Sequence, residues 1–380
     1  MQEGACVVSL DDGEILLANS GKIEVAPADG AIVKGKIANY EAVVSALEGL
    51  LAKLELHARA LPAILLLRGV PLKSEYLSSQ IKIPRRGAVD EELIDKCARR
   101  LAYKVNPDFD PIHAIRAAYY IDGAEHENPI GAKGRQLKIL YHVIQADAVS
   151  LADMASAIKS AGLALRDVVA SPYALGLASP RGEGAQGLGS EHGGAIVIDI
   201  GSTTSSAGIM NKNKIIFAAA PLVALSSAAE RISENIRTTL DDSMKLIYSM
   251  GNSEVAPRDF VAHTVVGDGR ICLLSDLKTL VRESLLFMLG EVRRRLESSG
   301  ATAVAESVAI THSGKEIPGF ARLAEEVFAL PASVVSLAET AAGAGIFHDL
   351  KSPRASAAAE EFPKANAAFD RLKALAGKYF

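Results

Sequence analysis

Two short acidic turns carry the residue types with the clearest chemistry, Asp11-Asp12-Gly13 and Asp199-Ile200-Gly201-Ser202-Thr203-Thr204. A carboxylate at a strand end can hold a hydrated Mg²⁺, and a glycine followed by hydroxyls leaves backbone N–H groups free to approach phosphate oxygens. The second turn has all these parts, with Asp199 as the metal-side group. A hydroxyl-rich hairpin turn without a ligand is the alternative reading. The first turn runs directly into Glu14-Ile15-Leu16, with no Ser, Thr or Lys there to contact phosphate. A carboxylate in that place repels a polyphosphate by about 1–4 kcal/mol at contact in an intermediate dielectric, so the first loop reads as an impaired phosphate site.

Other chemistries have little support. Cys6, Cys97 and Cys272 are odd in number, far apart and form no C-x-x-C, which signals neither a disulfide framework nor a zinc site. The histidines show no i, i+4 pair and no ligand pattern, and no G-x-S-x-G elbow is present. At the end of the chain, Phe369, Leu372, Leu375, Ala376, Tyr379 and Phe380 recur at steps of three and four, an apolar stripe flanked by Lys364, Arg371, Lys373 and Lys378 against the single Asp370. An aromatic-tipped basic helix of this kind suits the interface of an anionic bilayer, while a helix docked back on the core is the alternative.

The elements that must position these groups follow from patterning. Cys6 to Leu10 and Glu14 to Ala18 are apolar runs around the first acidic turn, a hairpin signal. Asn39 is an N-cap for a helix through Tyr40, Val43, Leu47, Leu50 and Leu54, and Ala63 to Leu67 is a buried strand bounded by Pro62 and Arg68-Gly69. The stretch from Glu75 to Asp147 changes texture, with strands at Gln80–Ile83, Ile112–Tyr120 and Leu137–Gln145 around one helix, Asp90–Val105, as an inserted α+β module. A helix follows from Ser150 to Ala161, with Gly162 as its stop. Strand, acidic turn and strand then recur at Ala195–Ile198 and Ala207–Met210, which points to two similar units facing a cleft. Helices at Ser226–Thr239, Asp276–Ser298 and Gly319–Phe328 and a strand at Ser307–Ile310 complete the second half. Lys351 to Pro363 reads as a linker before the final helix.

Composition bounds these readings. With 380 residues, 49% hydrophobic and 23% charged, the chain has the makings of a large α/β core. A net charge of −4 argues against a nucleic-acid surface. The start carries Glu3, Asp11, Asp12 and Glu14 where a signal peptide needs basic and then apolar residues, so the expectation is a cytoplasmic chain without a spanning segment.

Paired Asp-x-Gly hairpins are the pattern of the actin, Hsp70 and sugar-kinase superfamily, and further segments narrow it. Tyr120-Ile121-Asp122-Gly123, followed by Asn128-Pro129-Ile130-Gly131-Ala132-Lys133-Gly134-Arg135-Gln136-Leu137, resembles the Y-x-V-D-G…N-P-x-G-M-x-G-x-x-L signature of the bacterial FtsA cell-division family, and Gly35 to Glu41 is similar to its G-x-I-x-D segment. Other matches are partial. Asp241-Asp242-Ser243-Met244-Lys245 keeps only Lys245 of an A-E-x-x-K nucleoside contact, and Ala309 to Gly319 keeps Thr311, Gly314 and Gly319 of the adenosine motif but has His312-Ser313 in place of glycine. Leu222-Val223-Ala224-Leu225 stands where a glycine pair is expected.

The resemblance implies an α/β, actin-like duplicated ATPase fold with an inserted α+β subdomain and a C-terminal amphipathic helix. Residues 1–68 with 168–180 would form the first actin-like subdomain and 69–167 the insertion. Residues 193–225 with 272–331 would form the second, 226–271 its outer part, 351–364 a linker and 365–380 a membrane-targeting helix. It implies ATP with Mg²⁺, held weakly or lost, at Asp11, Gly13, Asp199, Gly201, Ser202, Thr203, Thr204, Lys245 and Gly314, and membrane contact by Phe369, Arg371, Leu372, Lys373, Lys378, Tyr379 and Phe380. The implied role is a scaffold tethering FtsZ filaments to the cytoplasmic face of the inner membrane at the division site, with self-association and downstream divisome proteins as further partners. A small-molecule kinase of the same superfamily and a pilus-assembly actin-like protein are the rival expectations.

Overall fold

The computed structural model describes residues 5–56, 60–84, 87–101, 106–178, 193–211, 213–266, 269–312 and 316–351. The expected first hairpin forms from β1 (Cys6–Leu10) and β2 (Glu14–Asn19), antiparallel with Leu10 opposite Ile15, and β3 (Lys22–Pro27) extends it. A small ribbon of β4 (Ile32–Val33) and β5 (Lys36–Ile37) leads into α1 (Tyr40–Lys53). Asn39 caps this helix as its pattern predicts, its Oδ1 accepting from the Ala42 N–H at 3.1 Å, and Val43, Leu47 and Leu50 are buried. β6 (Leu61–Leu67) then runs parallel to β1 with Ser9 beside Leu66, and its near-continuous apolar run is what burial on both faces demands.

The inserted module comprises β7 (Leu72–Lys82), α2 (Glu91–Arg99), β8 (Phe109–Ile121), β9 (Ala124–His126) and β10 (Gln136–Asp147). Its strands are longer than the apolar patterning indicates, because the outer part of β7 faces water and its polar residues conceal the strand. Asp90 caps α2, accepting from Leu93 N–H at 2.8 Å; the described helix ends at Arg99, short of the expected Val105. The chain returns through α3 (Ala148–Ser160), stopped at Gly162 (φ +86°), then β11 (Leu163–Ala170) and α4 (Ser171–Ala178).

The second half repeats the first. β12 (Gly194–Ile200), β13 (Ser205–Asn211) and β14 (Lys214–Leu222) form the second meander, followed by α5 (Leu225–Ile236), α6 (Leu240–Met250), the β15 (His263–Val266) and β16 (Arg270–Leu273) ribbon and α7 (Leu274–Glu297). The chain then forms β17 (Ala305–His312), α8 (Phe320–Phe328), β18 (Ala332–Val334) and α9 (Leu337–Lys351). The strand order β11-β6-β1-β2-β3 in the first sheet recurs as β18-β17-β12-β13-β14 in the second. The duplication expected from the paired turns is therefore present in the strand connections. The module's strands add to the second sheet as β14-β7-β10-β8-β9, joined where Ala220 pairs with Leu72. Among the described residues no helix is long and apolar enough to cross a membrane. The linker beyond Lys351 and the final helix lie outside the described residues.

Candidate functional site

The carboxyl ends of parallel strands open on the crevice between units, where α/β proteins place their ligands. Here β1 delivers Asp11, β12 delivers Asp199 and β6 delivers Arg68. Asp11 and Asp199 are 1% and 2% exposed, and Arg68 between them is 2% exposed. The guanidinium donates from Nε to Asp199 Oδ2 at 2.8 Å and from Nη2 to Asp199 Oδ1 at 2.7 Å, a two-pronged pair. Its Nη1 lies 3.3 Å from Asp11 Oδ2 and 3.6 Å from Glu14 Oε1, at ion-pair distance without hydrogen-bond alignment. Both oxygens of the predicted metal-side carboxylate are thus taken by an arginine of the first half.

The two turns also meet directly. The Thr203 hydroxyl donates to Asp12 Oδ2, and Asp12 further accepts from the N–H groups of Lys34 at 2.7 Å and Gly35 at 3.0 Å. Thr204 Oγ1 donates to the Gly69 carbonyl at 3.3 Å. A methyl group at Gly13 would stand 3.0 Å from Ser202 Oγ, and one at Gly69 would stand 2.8 Å from Thr204 Oγ1 in a backbone already at φ +66°. Gly13 and Gly69 therefore serve loop-on-loop contact, and each of the three hydroxyls predicted for phosphate faces the other half of the chain. Gly201 is buried in its own turn, its carbonyl accepting from Leu225 N–H at 3.3 Å.

Burial raises the Asp11 carboxyl to about 6; Arg68 pulls it down, and Asp199 and Asp12 push it further up. Burial alone would weaken the Arg68 charge, but Asp199, Asp11 and Glu14 outweigh it and hold the guanidinium protonated. One guanidinium thus faces a surplus of carboxylates, and Asp11 bears that surplus. Lys245 is not part of the cluster: it sits on α6 with its side chain 67% exposed and pairs with Asp241 at 2.6 Å and Asp242 at 3.1 Å. Gly314 and all seven membrane-contact residues, Phe369, Arg371, Leu372, Lys373, Lys378, Tyr379 and Phe380, lie outside the described residues.

Arg68 was not among the predicted site residues, although it had a legible signal. An arginine that follows an unbroken apolar parallel strand has no route to water and must find carboxylates.

A family model described as the SHS2 domain inserted in FTSA matches residues 69–145, the module built on β7 to β10. The chain is a divergent relative of the FtsA proteins. Among curated relatives, the cell division protein FtsA of Helicobacter pylori (strain ATCC 700392 / 26695) is 22% identical over 256 residues, covering 64% of this chain and 51% of that one. FtsA of Agrobacterium fabrum (strain C58 / ATCC 33970) is 21% identical over 228 residues, covering 57% and 50%. The chain spans about half the length of the curated FtsA relatives it matches. Among solved structures, a chain of the PilM-PilN type IV pilus biogenesis complex superposes with a TM-score of 0.61 at 14% identity, covering 90% of this chain and 98% of that one. MreB 5 of Spiroplasma citri bound to AMPPNP superposes with a TM-score of 0.52 at 13% identity, covering 91% and 96%. These likenesses establish the actin-like fold of this FtsA relative.

That fold implies a magnesium–nucleotide complex in the crevice, and the residues present do not fit one. The Asp199 oxygens are bound to Arg68, the Thr203 hydroxyl is bound to Asp12, and the two turns touch each other directly. Among the described residues no three His, Cys, Asp or Glu side chains converge as a metal site.

Proposed function

We propose that this protein is an actin-fold scaffold of cell division that tethers FtsZ filaments to the cytoplasmic face of the inner membrane and assembles without nucleotide turnover. The observation that carries the reading is the FtsA-type insertion at residues 69–145 within a duplicated actin-like fold. The eroded ATP site is supported by the two-pronged Arg68 pair on Asp199. In this reading residues 69–167 act as the self-association module and 365–380 as the membrane anchor. Phe369, Leu372, Tyr379 and Phe380 enter the acyl boundary, and Arg371, Lys373 and Lys378 meet lipid phosphates. A single short helix binds marginally, so attachment draws on several copies linked in a polymer.

The test is co-sedimentation of FtsZ filaments with vesicles containing phosphatidylglycerol. The full chain is expected to carry FtsZ into the vesicle pellet. A chain lacking residues 365–380, or the Leu372→Glu variant, is expected to leave it in the supernatant. FtsZ that stays soluble while the full chain pellets with vesicles would refute the tether, and undiminished pelleting of the truncated chain would refute the anchor.

A further inference from the structure

We propose that Arg68 and Asp12 are the cleft's own resident ligands. The guanidinium stands between Asp11 and Asp199 where a divalent cation would stand, and the Asp12 carboxylate occupies a phosphate position on the Thr203 hydroxyl and the Lys34 and Gly35 amides. The two halves are thereby held together with no nucleotide bound. The inference rests on the reading that the cleft turns over no nucleotide, and it says what replaces the nucleotide.

The cation part follows from burial and reach. A fully buried arginine is tolerated only when carboxylates compensate it. Its partners here come from both repeats, Asp11 and Glu14 from the first hairpin and Asp199 from the second. The strand that carries Arg68 belongs to the first sheet, whereas its shortest contacts are made to the second. An ordinary structural ion pair would serve one unit; this one spans the cleft.

The anion part has the same logic. Lys34 and Gly35 both hold positive φ, +49° and +70°, which turns their successive N–H groups onto one carboxylate. Successive amides aimed at one point are an anion cradle. The hydroxyl that completes it belongs to the opposite hairpin. Cation and anion therefore sit side by side in the cleft, supplied by neighbouring strand ends of the same chain.

The experiment measures thermal unfolding of the full chain in EDTA and in millimolar Mg²⁺, with hydrogen exchange at residues 11–14 and 199–204. The wild type is expected to show one Tm in both buffers and protected turns that Mg–ATP leaves unchanged. Arg68→Ala is expected to lose about 5–8 °C in EDTA and to recover at least half of it in Mg²⁺, which takes the vacated place between the carboxylates. Adding Asp199→Asn to Arg68→Ala should abolish that recovery. Where Arg68→Ala does not fold, Arg68→Gln keeps the stem as far as Cδ, removes the charge and serves the same comparison. An unchanged Tm on removing the guanidinium, or a loss that Mg²⁺ does not repair, would overturn the proposal. So would unprotected turns in the nucleotide-free wild type, a result that requires no variant. Tight Mg–ATP binding by the wild type would strike both the proposal and the reading on which it rests, whereas the Tm outcomes above bear on the proposal alone.

Discussion

Of the contacts between the two halves of the chain, two handle buried polar groups in opposite ways. At the cleft the joint is ionic, with Arg68 set against Asp199, Asp11 and Glu14. Where the inserted module meets the second sheet the joint is largely neutral. Leu72 pairs with Ala220, His142 Nδ1 lies 2.9 Å from the Ile215 carbonyl, and Tyr76 donates to the Ile216 carbonyl at 3.0 Å. Because a carbonyl only accepts, Nδ1 carries the proton; Nε2 then accepts from the Ser74 hydroxyl at 2.6 Å, and Ser74 Oγ accepts from Ala218 N–H at 3.2 Å. Burial lowers the His142 pKa to about 4, with the Ile215 carbonyl opposing, so the imidazole is neutral at physiological pH. The neutral joint is closed by backbone groups that nothing soluble can replace. If Arg68 is the cleft's resident cation, another cation can supply its charge, and the cleft rather than the module contact is where a ligand substitutes for the chain.

The largest effect should separate the joints at once. Arg68→Ala leaves buried carboxylates unpaired and is expected to cost about 3–5 kcal/mol, measured by denaturant unfolding. His142→Asn keeps a donor for Ile215 but removes the acceptor of the Ser74 hydroxyl, an expected loss of about 1–3 kcal/mol at pH 7.

The pH dependence sharpens the contrast, because the two joints have opposite signs. The Asp11 pKa is raised from 3.8 to about 6, so its contribution is fully present below the unfolded value and is lost as pH rises through about 6. The His142 pKa is lowered from 6.5 to about 4, so its contribution is present above the unfolded value and is lost as pH falls toward 4. Each amounts to on the order of 2–3 kcal/mol, and the two oppose each other across that window. Asp11→Asn should therefore make the protein more acid-sensitive than the wild type and no less stable at pH 8. His142→Asn should make it less acid-sensitive. Parallel pH profiles for both variants would show that neither group carries the assigned shift. The smallest effect belongs to Lys245→Ala, whose exposed pairs with Asp241 and Asp242 should leave the denaturant midpoint unchanged.

Much of this was legible in the residues. The hairpins around Asp11 and Asp199 follow from β-branched runs broken by acidic turns, and their repetition announces the duplicated sheet. The Asn39 cap and the buried run ending at Leu67 were equally plain. The elements that the patterning does not indicate have little periodicity. α4 is buried on nearly every side, and α9 is built from small residues, with Gly343 against the Ala174 carbonyl, so neither displays an amphipathic stripe. The missing hydroxyls after Gly13 mark an impaired phosphate loop but carry no sign of the residue that faces it. Glu14 looked like a defect against phosphate; in the fold it is one of the carboxylates that face Arg68. The chemistry belongs to three strand ends that sequence separates, and a turn-by-turn reading weighs only one at a time.

Calorimetric titration of Mg–ATP into the full wild-type chain tests the central claim most directly. Turns that already hold each other through Arg68 and Asp12 predict no saturable heat at millimolar nucleotide. A stoichiometric isotherm with low-micromolar affinity would contradict the account, because Arg68 and Asp12 could not then occupy the cleft in place of the nucleotide.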